Sequence, residues 1–102
     1  MVTDADGYTE DEKWLVVRGR RWRRTDPALP DALVEQLKSH LGRARNAVRS
    51  AKTAADDTAL RAARERVGVA KRGLGERGEK WWEMPRADRL ARAEEALSEL
   101  DR

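Results

Sequence analysis

The sequence predicts an α+β fold that is mostly α: a short N-terminal β-hairpin packed on an antiparallel helical hairpin, followed by a C-terminal helix. Three observations predict it. The strand formers Trp14-Leu15-Val16-Val17 run into Arg18-Gly19, a pair able to turn the chain back into a second short strand. Apolar residues then recur in two successive series at alternating spacings of 3 and 4, the period of a helix with one buried stripe. Asp56-Asp57, suited to a helix N-cap, separates the two series with chain enough only for a tight reversal.

The hairpin spans Lys13–Arg24. With Arg18 and Gly19 as its two-residue turn, Leu15 faces Trp22 and Val17 faces Arg20 across the strands. Leu15, Val17 and Trp22 then share one apolar face, and Trp14, Val16, Arg21 and Arg23 share the other. A two-stranded ribbon is marginal alone and must pack on something, so Trp22 is expected in the core and Trp14 is the better exposed aromatic. Thr25–Pro30 is a connector, with Pro30 suited to the first turn of a helix.

Val34, Leu37, Leu41, Ala44, Val48, Ala51 and Ala55 make the first helical stripe, and Leu60, Ala63, Val67, Ala70 and Leu74 the second. Residues 31–75 therefore read as an αα-hairpin with an alanine-rich seam. Gly73, Gly75 and Gly78 end the second helix, because glycine accepts the left-handed cap conformation. Trp81-Trp82 follows as a hydrophobic plug. Pro85 opens a third helix, Arg86 to about Leu100, with Ala87, Leu90, Ala93, Leu97 and Leu100 inward and Arg89, Arg92, Glu94, Glu95 and Glu99 outward. The chain divides into an acidic tail over 1–12 expected to be disordered, a two-hairpin domain over 13–84, and a charged helix over 85–102.

Composition limits the function. At 102 residues, 40% charged and without phenylalanine, this is one domain with a modest core of Leu, Val, Ala and four tryptophans. The net charge of +3 argues for no partner, but its distribution is informative. Residues 1–12 carry five acids and no base, whereas residues 13–24 carry six bases and no acid. The absence of cysteine excludes a disulfide, a thiolate nucleophile and a cysteine zinc site. No apolar run approaches the ~20 residues of a membrane helix, and the acidic N-terminus is unlike a signal peptide, so a cytoplasmic protein without membrane partner is expected.

No reaction is indicated. His40 is the sole histidine, without a second His to share a metal. Asp26, Asp31 and Glu35 suit the start of a helix, where the dipole favours carboxylates. Gly73-Leu74-Gly75-Glu76-Arg77-Gly78 follows a helix, whereas nucleotide loops precede one. The expectation is a non-catalytic protein with no metal, cofactor or small-molecule substrate.

The run Arg18-Gly19-Arg20-Arg21-Trp22-Arg23-Arg24 carries the functional signal. Arginine's planar fork donates paired hydrogen bonds to phosphate and keeps its charge. One reading is a phosphate-gripping ribbon for nucleic acid, DNA favoured over RNA, with little sequence specificity. Its residues are Arg18, Arg20, Arg21, Arg23, Arg24 and Trp14, with Arg45, Arg49 and Arg72 as further contacts and Lys13, Lys38, Arg43 and Lys52 extending the field. The contrasting reading is a solvated strand whose arginines pair with Asp4, Asp6, Glu10 or helix carboxylates. A second function class is a protein-interaction or homodimerising module, using the alanine seams and whichever of Trp81 and Trp82 is exposed.

Val17-Arg18-Gly19-Arg20-Arg21-Trp22-Arg23, Thr25-Asp26-Pro27, Ala70-Lys71-Arg72-Gly73-Leu74-Gly75-Glu76-Arg77-Gly78 and Trp81-Trp82 form a distinctive set. Over roughly residues 13 to 83 the chain resembles a family of small bacterial proteins of no assigned function, frequent in actinobacteria and proteobacteria. Some members carry the label "biopolymer transporter Tol". The Gly-Glu-Arg-Gly and Trp-Trp elements are the most specific part. Many relatives end in a polar and aromatic tail that this chain lacks. The resemblance implies a shared fold and no catalytic or binding residue.

Overall fold

A computed structural model describes residues 7–102. The order is a helical turn α1 (Glu10–Lys13), strands β1 (Trp14–Val17) and β2 (Arg20–Arg23), then helices α2 (Asp31–Thr53) and α3 (Asp57–Gly73). A 3₁₀ turn at Trp81–Glu83 leads into α4 (Arg86–Leu100). The fold is the mostly helical α+β arrangement expected from sequence, with the two-stranded antiparallel hairpin preceding the helices.

The first difference is at the tail. Residues 1–6 lie outside the described residues, but Glu10–Glu12, expected to be disordered, begin a capped helical turn. Thr9 Oγ1 accepts from the Glu12 amide at 3.3 Å, and Glu12 Oε1 accepts from the Thr9 amide at 3.0 Å. This reciprocal box satisfies two otherwise orphaned donors, and the three acids favour the positive end of the turn.

The hairpin has the expected register, Leu15 opposite Trp22 and Val17 opposite Arg20. Arg18 and Gly19 both take positive φ, 52° and 78°, the requirement of the turn whose twist matches a β-ribbon. For arginine that conformation is strained.

The two long helices pack antiparallel along the expected seam, burying Leu37, Leu41, Ala44 and Ala51 against Ala63, Ala70 and Leu74. Ala55 does not belong to the seam: with φ of 53° it forms the left-handed residue ending α2. Its amide and that of Asp56 donate to Lys52 and Ala51 carbonyls at 3.1 and 3.0 Å, and Asp56 Oδ1 then caps α3 by accepting from Ala59. Gly75 ends α3 by the same geometry, its own amide bonding Arg72 O and that of Glu76 bonding Lys71 O.

The α4 helix packs on α3 and α2. Its buried stripe is Arg89, Ala93, Ala96 and Leu100, rotated from the expected one, and Leu90 and Ala87 are exposed. Arg89 was expected to face outward. It turns inward because the buried Asp26 carboxylate accepts its Nε at 2.8 Å and a second bond from Nη2. Asp26 also accepts from the Ala28 amide, and its own amide donates to Leu74 O. The Asp26 hydrogen bond and burial act oppositely on Arg89, and the bond prevails, so its pKa lies above the usual arginine value. Gly73 lets α4 approach, since a Cβ there would lie 2.6 Å from Ala96 Cβ.

Candidate nucleic-acid interface

The arginine-rich hairpin divides into residues that hold the fold and residues that face solvent. Arg23 and Arg24 make bonds of the first kind, although Arg24 is also exposed. Arg23 is half-buried and its Nη1 donates to Gly78 O at 2.8 Å, while burial lowers its pKa against the opposing attraction of Glu83. Arg24 Nε donates to the carbonyls of Asp11 and Trp14 at 2.9 and 3.0 Å, tying α1 to the ribbon. These bonds satisfy backbone carbonyls at the joints of the fold, and both side chains also line the open groove beside the hairpin.

Arg18, Arg20 and Arg21 are exposed. Arg18 occupies the turn. Arg21 lies over the Trp14 ring at 4.2 Å and 3.6 Å from the Glu10 carboxylate, so α1 neutralises part of its charge as the solvated-strand reading anticipated. Arg20 lies over the Trp22 ring at 4.9 Å.

The tryptophans exchange their expected places. Trp14 is half-buried, packed edge-on to Trp82 at 5.3 Å. Trp22 is 42% exposed, as are Leu15 and Val17 to a similar extent. The ribbon touches the body through its Trp14 face, and its Leu15–Val17–Trp22 face looks across an open groove of about 580 Å³ at Arg45 and Lys71. Periodicity identified that face as apolar, but no helix lies flat against it.

Trp81 and Trp82, of which one was expected to be partly exposed, are both buried. Trp81 Nε1 donates to Arg24 O at 2.9 Å, its ring meets Trp82 edge-on at 5.1 Å, and the Arg89 guanidinium lies over it at 5.0 Å. They knit the connector, the glycine-rich loop and α4 into one hub. Gly75, with φ of 82°, completes it, since a Cβ would come within 3.0 Å of both Asp26 and Trp81. The seam alanines that favoured self-association are likewise covered by the chain's own helices.

A second set of cations, drawn from α2, α3 and the glycine-rich loop, converges beside the groove. Arg45 borders both the hairpin groove and a neighbouring one along the α2–α3 seam, lined also by Arg49, Arg64 and Arg77. Arg64 and Arg77 continue into a third, which Arg61 and Arg72 enter. Among the described residues, none of Arg45, Arg64, Lys71 and Arg77 forms an ion pair. Arg49 is bonded to Asn46, which leaves its charge uncompensated. Burial lowers the pKa of Lys71, Arg77 and Arg45 lower it further by repulsion, and Glu76 opposes them only in part. Glu76 is itself held by the Thr25 hydroxyl, which donates to it at 2.6 Å.

Of the helix arginines expected to contribute, Arg45 and Arg49 therefore join this strip and Arg72 borders it. Lys38, Arg43 and Lys52 do not line these grooves. Sequence reasoning missed Lys71, Arg77, Arg64 and the exposure of Trp22. The one available signal was the spacing of Arg61, Arg64 and Lys71, which places three bases on one side of α3.

His40 belongs to another end of the molecule. Its Nε2 lies 2.6 Å from Asp101 Oδ1 and its Nδ1 3.2 Å from Arg43 Nη2. The guanidinium can only donate, so Nδ1 accepts and Nε2 carries the proton toward Asp101. Arg66 Nη2 donates to Leu100 O at 2.8 Å, so the cluster clasps the end of α4. Among the described residues no group of three or more His, Asp or Glu could hold a metal, and no helix is long and apolar enough to cross a membrane. No family model, curated protein or solved structure matches this chain, so its function is argued from the site alone.

Proposed function

We propose that the protein is a non-catalytic module that binds nucleic acid through its phosphates, with little sequence specificity. The observation that carries this reading is the unpaired cation strip of Arg45, Lys71, Arg77, Arg64 and Arg49, contributed by three elements. Like charges that Glu76 offsets only in part lower stability, and a polyanion relieves their repulsion. Arg20, beside Trp22, extends the strip along the hairpin, while Arg23 and Arg24 line the groove and also hold the ribbon in place. A bidentate fork at each arginine grips phosphate without reading the base.

Fluorescence anisotropy with labelled DNA and RNA at about 50 and 200 mM salt tests the reading. Binding should weaken steeply between the two, with a log–log slope of about −0.9 per phosphate neutralised on duplex. The pair Arg45→Glu and Lys71→Glu should abolish binding while circular dichroism shows helicity unchanged. Full binding by that variant, or none by the parent at the lower salt, refutes the proposal.

A further inference from the structure

The exposed face of the hairpin narrows the class of nucleic acid. Trp22 lines the groove with two cations near its ring, Arg20 at 4.9 Å and Lys71 at 5.4 Å from the centroid. Leu15, Val17, Arg45 and Lys71 line the same groove. Its ring is thus apolar, 42% exposed and close to positive charge, the combination of a stacking platform beside an electrostatic rail.

A duplex has no use for such a floor, because its base faces are already stacked and only its phosphates reach the surface. A chain with unpaired bases satisfies both parts of the groove. One base covers the indole and removes apolar surface from water, and the flanking phosphates reach Arg45, Lys71 and Arg77. An acidic protein segment could match the charge, but its carboxylates do not supply a flat aromatic face for the exposed ring. Glu76, the acid at the rim, is oriented by the Thr25 hydroxyl and offsets the charge of Lys71 only in part.

We infer that the groove between the Leu15–Val17–Trp22 face and Arg45–Lys71 is a binding site for single-stranded nucleic acid, with one base stacked on Trp22. This rests on the phosphate-binding reading and adds to it a requirement for an unpaired base.

The test compares a labelled thymidine oligonucleotide, an abasic oligomer with the same number of phosphates, and a duplex of equal length. The expected result is tightest binding to the oligonucleotide. Trp22→Leu should weaken that complex by about 5- to 150-fold, the loss of one base's stacking, without changing affinity for the abasic oligomer. Trp22→Phe should restore most of the loss. Thermal melting of both variants within a few degrees of the parent separates this from misfolding. Equal affinity for oligonucleotide and abasic oligomer, with Trp22→Leu silent but Lys71→Glu disruptive, overturns the stacking site and leaves phosphate binding standing. No binding to any of the three overturns both. Sedimentation showing that Trp22→Leu dissolves a dimer of the parent also overturns the inference, because a second copy would then cover the groove.

Discussion

The two faces of one β-ribbon meet opposite fates. On one, Trp14 packs against Trp82, Arg23 donates into the glycine-rich loop, and Arg21 lies over the Trp14 ring and pairs with Glu10. On the other, Leu15, Val17 and Trp22 remain half in water beside a groove in which cations outnumber the single acid, Glu76. The strands are only four residues each, so both faces arise from the same short sequence and the same register. What separates them is their neighbours: one faces a tryptophan hub that satisfies arginines, the other faces a cleft that concentrates them. Arginine density alone therefore did not locate the candidate interface.

Breaking the closed side should cost far more than altering the open one. Asp26→Ala leaves Arg89 buried without its carboxylate, and urea unfolding should show a loss of about 3–5 kcal/mol. Trp81→Ala, which removes a fully buried ring and its bond to Arg24 O, should cost about 3 kcal/mol or more. Trp22→Ala, on the open face, should cost under about 1 kcal/mol in the same assay. If the two tryptophans prove equally costly, the contrast between the faces fails.

Smaller changes sharpen the picture. Ala55→Gly should raise stability by about 0.5–1 kcal/mol, because it relieves the left-handed strain at φ 53°. The charge cluster should leave a weaker trace in pH dependence. Lys71 binds its proton less tightly when folded than the ordinary lysine value of 10.5, so the folded state holds fewer protons just below that pH. Stability should gain as pH rises through the lowered pKa, the penalty being fully present below it. Lys71→Gln should abolish that increment in denaturant titrations run at neutral and alkaline pH.

Much of the fold was legible because it is local. The two-residue turn fixed the pairing of Leu15 with Trp22, and the alternation of 3 and 4 fixed the seam of α2 with α3. The site was less legible because its parts come from distant elements. Arg45, Lys71 and Arg77 meet only once α2 and α3 reverse and the loop after Gly75 turns back. Arg89 was misplaced for a related reason. A stripe through Leu90 is the more apolar choice within α4 itself, but the partner that draws Arg89 inward lies 63 residues earlier. Trp22 shows the complement: alternation reveals which strand face is apolar, not whether anything covers it.

The Asp26–Arg89 pair also sets the order in which the chain can become a finished fold. A ribosome delivers Asp26 well before Arg89, and at about 5–20 residues per second the 63 intervening positions take roughly 3–13 seconds. The first two helices are themselves made during that interval, all before the cation that neutralises the connector. The surface awaiting α4, including Leu37 and Gly73, is also uncovered. The αα-hairpin, built from near neighbours, can form early. Closure waits for the arrival of a single arginine, which makes the last helix the latch of biosynthesis as well as a wall of the core.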